Sequence, residues 1–136
     1  SLKQMGVKKI DILNRTLENA LPLQNNYISV YNMHEAVRVI KPTSIIINTT
    51  SVGMHNNESP IGYDLIHKDQ IIIDIIYTPL QSKLLQFGEK AGAFTINGLD
   101  MFINQGIASL DLWFGSSIST QVNFSDIKRY LKSQLC

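Results

Sequence analysis

The stretch Gln70–Tyr77, QIIIDIIY, constrains the fold more than any other part of this chain. β-branched side chains are stiff at χ1 and pack well on a pleated surface, so the run predicts a strand. Ser44–Asn48, SIIIN, has the same character. Near-continuous apolar runs of this length suit strands buried on both faces, as in parallel sheets. Neighbouring parallel strands need a long crossover between them, usually a helix.

The rest of the chain supplies those crossovers. Val7–Leu13 predicts a strand, followed by Thr16–Leu21 as a short helix or turn that Pro22 helps to end. Ile28–Tyr31 predicts a short strand, and Met33–Ile40 a short helix closed before Pro42. After the polar loop Gly53–Pro60, Leu65–Ile66 predicts a single helical turn. Pro79 is expected to open a helix over Leu80–Ala91, which Gly92 ends. Ala93–Ile96 predicts a strand and Gly98–Phe114 a long amphipathic helix stopped by Gly115. Beyond the polar linker Ser116–Asn123, Ser125–Leu135 predicts a terminal helix with Ser125 as its N-cap. Strands alternating with helices imply an α/β chain with a doubly wound parallel sheet.

Composition narrows the partners. With 136 residues the chain is expected to form one domain, 1–136, and 44% apolar residues suit an ordinary globular core. The net charge is +1 and the basic residues are scattered, which argues against nucleic acid or an anionic membrane as the main partner. No apolar run approaches the roughly 20 residues of a spanning helix, and no signal peptide opens the chain, so a cytoplasmic location is expected. Cys136 is the one cysteine, which excludes an intrachain disulfide and fits a reducing compartment. The chain starts at Ser1, and Ser1–Met5 reads like the tail of a helix.

Ligands of doubly wound sheets bind outside the carboxyl ends of the strands. Asn14, Arg15 and Thr16 follow the first strand, Thr49 to Gly53 the third, Tyr77 and Thr78 the fourth, Asn97 and Gly98 the fifth. Asn14-Arg15-Thr16 carries the sharpest chemistry. In dinucleotide folds, an acid at the second strand's tip favours a free ribose 2′-hydroxyl, whereas an arginine accommodates a 2′-phosphate. Arg15 offers parallel N–H donors, Asn14 and Thr16 neutral ones, and Asp11 falls too early. The alternative is that Thr16 merely caps a helix and Arg15 is solvated. Gly98, Met101 and Gln105 share one helical face, which either looks into the cleft or points to water. There, Gly98 would let a ligand approach the backbone. Leu99, Phe102, Ile103, Leu110 and Phe114 form the expected core stripe, with Trp113 also in the core. Tyr77 is either structural or a hydroxyl at the ligand edge.

His34, His55 and His67 lack metal-ligand spacing and read as solvated. Ser51 lacks a nucleophile elbow, the acids Asp64, Asp69, Asp100 and Asp111 form no convincing pair, and Lys128, Arg129 and Lys132 read as one solvated helix face.

Asn14-Arg15-Thr16, then Ile47 to Met54 (INTTSVGM), Asp74 to Pro79 (DIIYTP) and Asn97 to Gly106 (NGLDMFINQG), together resemble shikimate dehydrogenase, in register from Gly6 to about Gly115. The resemblance implies a Rossmann-like fold and an NADP-dependent dehydrogenase interconverting 3-dehydroshikimate and shikimate in aromatic amino-acid biosynthesis. It implies that Asn14, Arg15 and Thr16 hold the 2′-phosphate, and that Thr49, Ser51 and Met54 line the cofactor's path. Ile75, Gly98 and Met101 would lie near the nicotinamide, and Tyr77 and Gln105 would touch the substrate. A dehydrogenase of quinate or another cyclic polyol, or a non-catalytic domain derived from the fold, are the alternatives.

Two parts of the family pattern have no counterpart here. One is an amino-terminal substrate domain bearing a catalytic lysine and aspartate, so no catalytic residue is assigned in this chain. The other is the glycine-rich turn after the first strand, which cradles the pyrophosphate. In that pattern the first strand lies between the strands predicted over Val7–Leu13 and Ser44–Asn48. The expectation is therefore a piece of a longer polypeptide, inactive alone, with open strand edges and uncovered apolar faces.

Overall fold

The computed structural model describes residues 2, 4–115 and 118–135. Cys136, part of the Ser1–Met5 stretch and the first two residues of the 116–123 linker lie outside the described residues. The chain divides into two compact units, Ser1–Thr43 and Ser44–Cys136.

In the first unit, β1 (Ile10–Asn14) leads to α1 (Leu17–Ala20), a 3-10 turn at Leu21–Leu23, β2 (Ile28–Asn32), a 3-10 turn at Met33–Glu35 and α2 (Ala36–Ile40). β1 and β2 run parallel, from Ile10 opposite Ile28 to Asn14 opposite Asn32. Pro22 sits inside a 3-10 turn, not beyond it, because its missing N–H is no loss in a first turn. The expected helix over Met33–Ile40 is split. Asn32 caps it by accepting from His34 N, and Glu35 reaches back to accept from Asn32 N at 3.1 Å, a reciprocal capping box. Val7 N donates to Leu2 O at 3.2 Å across Gly6, whose φ is 82°, the bond and the glycine that close a helix end, in keeping with the expected helix tail.

The second unit holds β3 (Ile45–Asn48), a 3-10 turn at Tyr63–Leu65, β4 (Ile71–Asp74), α3 (Lys83–Ala91), β5 (Phe94–Ile96), α4 (Leu99–Phe114), α5 (Ile118–Gln121) and α6 (Phe124–Leu135). Its strands are parallel in the order β3-β4-β5, aligning Ile45, Ile71 and Phe94 in one row and Ile47, Ile73 and Ile96 in another. The fold is thus α/β with parallel pairing, as expected, and among the described residues the strands form two sheets, β1-β2 and β3-β4-β5. β1 and β3 are both edge strands among the described residues.

One face of the three-stranded sheet is closed by α3. Leu84 and Leu85 pack with Ile66 and Ile72 into the buried cluster, each such side chain contributing about 1.5–3 kcal/mol. The other face is open: Ile45, Ile47, Phe94 and Ile96 are exposed, Phe94 by 65%. The expectation that Ser44–Asn48 is buried on both faces is therefore wrong, since β3 is an edge strand with one covered face.

Several boundaries also differ. β4 stops at Asp74 because its neighbours run out: β3 ends at Asn48 and β5 at Ile96. Only single bonds continue, Ile75 N to Asn48 O and Gly98 N to Ile76 O. Pro79 follows a cis peptide and does not open α3; Ser82 caps it by accepting from Leu85 N. Gly92 and Gly115, the expected stops, both take positive φ. Asn123, not Ser125, caps α6, its Oδ1 accepting from Ser125 N and Asp126 N. α5 forms inside the expected linker. Along α4, Leu99 and Ile103 are core, but Trp113 and Phe114 are 73% and 71% exposed, against expectation. Nor is Lys128 simply solvated: its ammonium lies 2.6 Å from Asp100 Oδ1, tying α6 to the start of α4.

Candidate functional site

In the first unit, Asn14 ends β1 and its Oδ1 accepts from Thr16 N at 3.0 Å. That leaves the Asn14 amide nitrogen as the group it offers outward. Thr16 occupies the N-cap position of α1, yet its hydroxyl makes no capping bond. Arg15 is exposed, and none of the ion pairs among the described residues involves it. Asp11, inside β1, is held by Lys9 at 2.9 Å. That carboxylate raises the Lys9 pKa above its usual value. The strand tip therefore presents a guanidinium outside the ion pairs, an amide and a hydroxyl, with no acid among its own three residues and Glu18 the next one along, in the first turn of α1. Such a set suits a phosphate, which Arg binds through parallel N–H groups.

In the second unit the structure brings four of the predicted residues together at the carboxyl edge. Ile75 and Tyr77 leave β4, and Gly98 and Met101 begin α4. The join is tight: a Cβ at Gly98 would lie 1.9 Å from the Ile75 carbonyl oxygen. Gly98 has an ordinary φ of −75°, so closeness rather than backbone conformation requires glycine. What a side chain at Gly98 would meet is its own chain, so the join of β4 to α4 by itself requires glycine there. Tyr77 stacks on Phe102 with ring centroids 4.1 Å apart and planes 20° apart, which fixes the tyrosine beside α4.

Met101 is 46% exposed and Gln105 is exposed on the same helical face. Thr49 and Ser51 are exposed on the loop after β3. Met54 alone of the predicted residues lines a cleft of about 370 Å³, bounded also by Gly53 to Asn57, Pro79, Gln81, Lys83 and Gln86. Among the described residues no group of acids, histidines or cysteines could hold a metal ion. No helix among them is long and apolar enough to cross a membrane.

Sequence reasoning missed the polar cluster beneath this edge. Asn48, Asp74 and Ser82 are buried to 4%, 0% and 1% exposure and hydrogen-bond in series. The signal was present in the sequence as an aspartate inside an isoleucine run.

No family model matches the chain. A shikimate dehydrogenase (NADP(+)) of Alkaliphilus metalliredigens is 35% identical over 142 residues, covering 95% of this chain and 48% of that protein. Among solved structures, a chorismate mutase/shikimate 5-dehydrogenase fusion protein from Clostridium acetobutylicum superposes with a TM-score of 0.86 at 27% identity, over 98% of this chain and 48% of its own. Shikimate 5-dehydrogenase from Thermus thermophilus, solved in complex with NADP(H) and shikimate, gives 0.72 at 26% identity, over 84% and 42%. The chain thus spans just under half the length of the curated relatives it matches. Over the span it matches, this chain is similar to the shikimate dehydrogenases.

Proposed function

We propose that residues 1–136 form the cofactor-binding portion of an NADP-dependent oxidoreductase that interconverts 3-dehydroshikimate and shikimate. The observation that carries this reading is the strand tip Asn14-Arg15-Thr16, which contains no acid and whose Arg15 is in none of the ion pairs among the described residues, in a chain whose relatives are named NADP(+) enzymes. Arg15 binds the 2′-phosphate through its N–H groups, helped by the Asn14 amide and the Thr16 hydroxyl. Thr49, Ser51 and Met54 line the path of the dinucleotide. Ile75, Gly98 and Met101 supply an apolar wall that excludes water from the nicotinamide. Tyr77, its ring fixed by Phe102, and Gln105 orient the substrate through hydroxyl and amide. When bound, the nicotinamide exchanges hydride with the substrate carbon, and the chain contributes orientation.

No residue of this chain is assigned the proton transfer at the substrate hydroxyl, which falls to a substrate domain acting as partner. A cytoplasmic setting and a place in aromatic amino-acid biosynthesis belong to the same reading, supported by the single cysteine and by the relatives' names. The test is spectroscopic. The gene product carrying this chain is mixed with shikimate and either NADP+ or NAD+, and reduced cofactor is followed by absorbance. Faster reduction of NADP+ is expected. Equal rates would defeat the role given to Arg15, and no reduction with either would overturn the enzyme reading.

A further inference from the structure

The carboxylate of Asp74 is completely buried and takes part in none of the ion pairs among the described residues. It is met by donors instead. Oδ1 accepts from Asn48 Nδ2 and from Ile76 N, both at 3.1 Å, and Oδ2 accepts from Ser82 Oγ at 2.5 Å. Burying such a group is costly unless its hydrogen bonds are made, and bonds to a carboxylate are about twice as strong as neutral ones. An asparagine of the same shape would turn one of those two acceptors into a donor.

Each partner opens a different segment. Asn48 accepts from Thr50 N and Thr50 Oγ1 and donates to Val52 O, while Val52 N bonds Thr50 Oγ1, which shapes the loop after β3. Ile76 N lies on the exit from β4, between Ile75 and Tyr77. Ser82 caps α3. Five residues given a ligand role above, Thr49, Ser51, Met54, Ile75 and Tyr77, sit on the first two segments.

We propose that Asp74 is a positioning residue: it touches neither cofactor nor substrate, but fixes the loop after β3 and the exit from β4 against the start of α3, so that the ligand-facing residues are pre-set. The proposal rests on the ligand roles assigned to those segments.

The test compares Asp74→Asn with Ile66→Ala, a core change away from the carboxyl edge, in the gene product carrying this chain. Both variants are expected to lower the melting temperature. Only Asp74→Asn is expected to raise the KM for NADP+, by about tenfold, and to speed amide exchange at Thr50, Val52 and Ile76 by a similar factor. Wild-type exchange at those amides in Asp74→Asn overturns the proposal, whatever the enzyme does. Equal rises in KM in both variants overturn it too, since general loosening then explains the effect. If the wild-type protein oxidises no shikimate, the functional reading fails, and faster exchange in Asp74→Asn alone still upholds the positioning role.

Discussion

The two units hold themselves together by different means. Ser44–Cys136 has a buried apolar cluster, a fully buried carboxylate network and a three-stranded sheet. Ser1–Thr43 has four buried apolar residues among those described, and two of them, Ala20 and Ala36, are alanines. Its order comes from short-range polar bonds instead. Asn25 Oδ1 accepts from Tyr27 N and Ile28 N, Asn32 and Glu35 cap each other's turn, and the Tyr27 hydroxyl donates to Val7 O. Domains this small bury little of their surface, so local bonds take a larger share of the work. The lesson is a division of roles. Packing changes are expected to be felt most in the second unit, and on the proposed reading changes at the first unit's strand tip are expected to be felt in recognition.

The sharpest way to break that contrast is Gly98→Ala. A methyl group there would sit 1.9 Å from a backbone oxygen that cannot swing aside, so α4 or the β4 exit must move. The expected loss is about 3 kcal/mol or more, above the usual range for overpacking. Urea unfolding measures it. Gly106→Ala is the control, because nothing lies within 4 Å of its added methyl group and it is inside the same helix. That change is expected to stabilise by roughly 0.5–1 kcal/mol. Similar midpoints for the two variants would show that the α4 junction is not tight.

Arg15→Ala sharpens the other side of the comparison. The side chain is exposed, so stability should stay within about 0.5 kcal/mol of wild type. Binding of NADP+ should lose the roughly 1.5–3 kcal/mol of a charge-assisted hydrogen bond, seen as a KM raised about tenfold or more. The KM for NAD+ should hardly move. A matched loss with both cofactors would remove the phosphate from the argument.

The sequence made the parallel α/β pattern legible because strand and helix periods are local properties. Ile71–Asp74, Phe94–Ile96 and the whole of α4 fall inside their predicted ranges. The misses share a cause: each depends on a neighbour that periodicity cannot name. Trp113 and Phe114 carry an apolar pattern but lie exposed at the end of α4. Ser82 displaced Pro79 as the start of α3 because its hydroxyl is anchored on Asp74. Ile45 and Ile47 read as doubly buried, but β3 is an edge. At the site, hydroxyl, amide and glycine residues at strand ends were legible from position alone. The carboxylate beneath them was not, because a lone aspartate in an apolar run declares its burial without declaring its donors.

The smallest effect tests whether the first unit depends on polar staples at all. Asn32 N donates to the Glu35 carboxylate, and the Arg38 guanidinium stands 2.6 Å away. These hold the Glu35 pKa below its usual 4.5. A carboxyl whose pKa falls on folding stabilises the fold above the unfolded value, and that help disappears as pH drops through the folded value. Glu35→Gln can still accept from Asn32 N but carries no charge. It should therefore be slightly less stable than wild type at neutral pH, and the gap should close as pH falls below about 4.5. Because Glu35 is partly exposed, salt should shrink the gap as well. Amide exchange at Asn32 and His34 reads the capping box directly. Trp113, the only tryptophan, reports the second unit through its fluorescence and should show no such difference. If wild type and Glu35→Gln keep the same separation from neutral to acid pH, the charge on this cap does not stabilise the first unit.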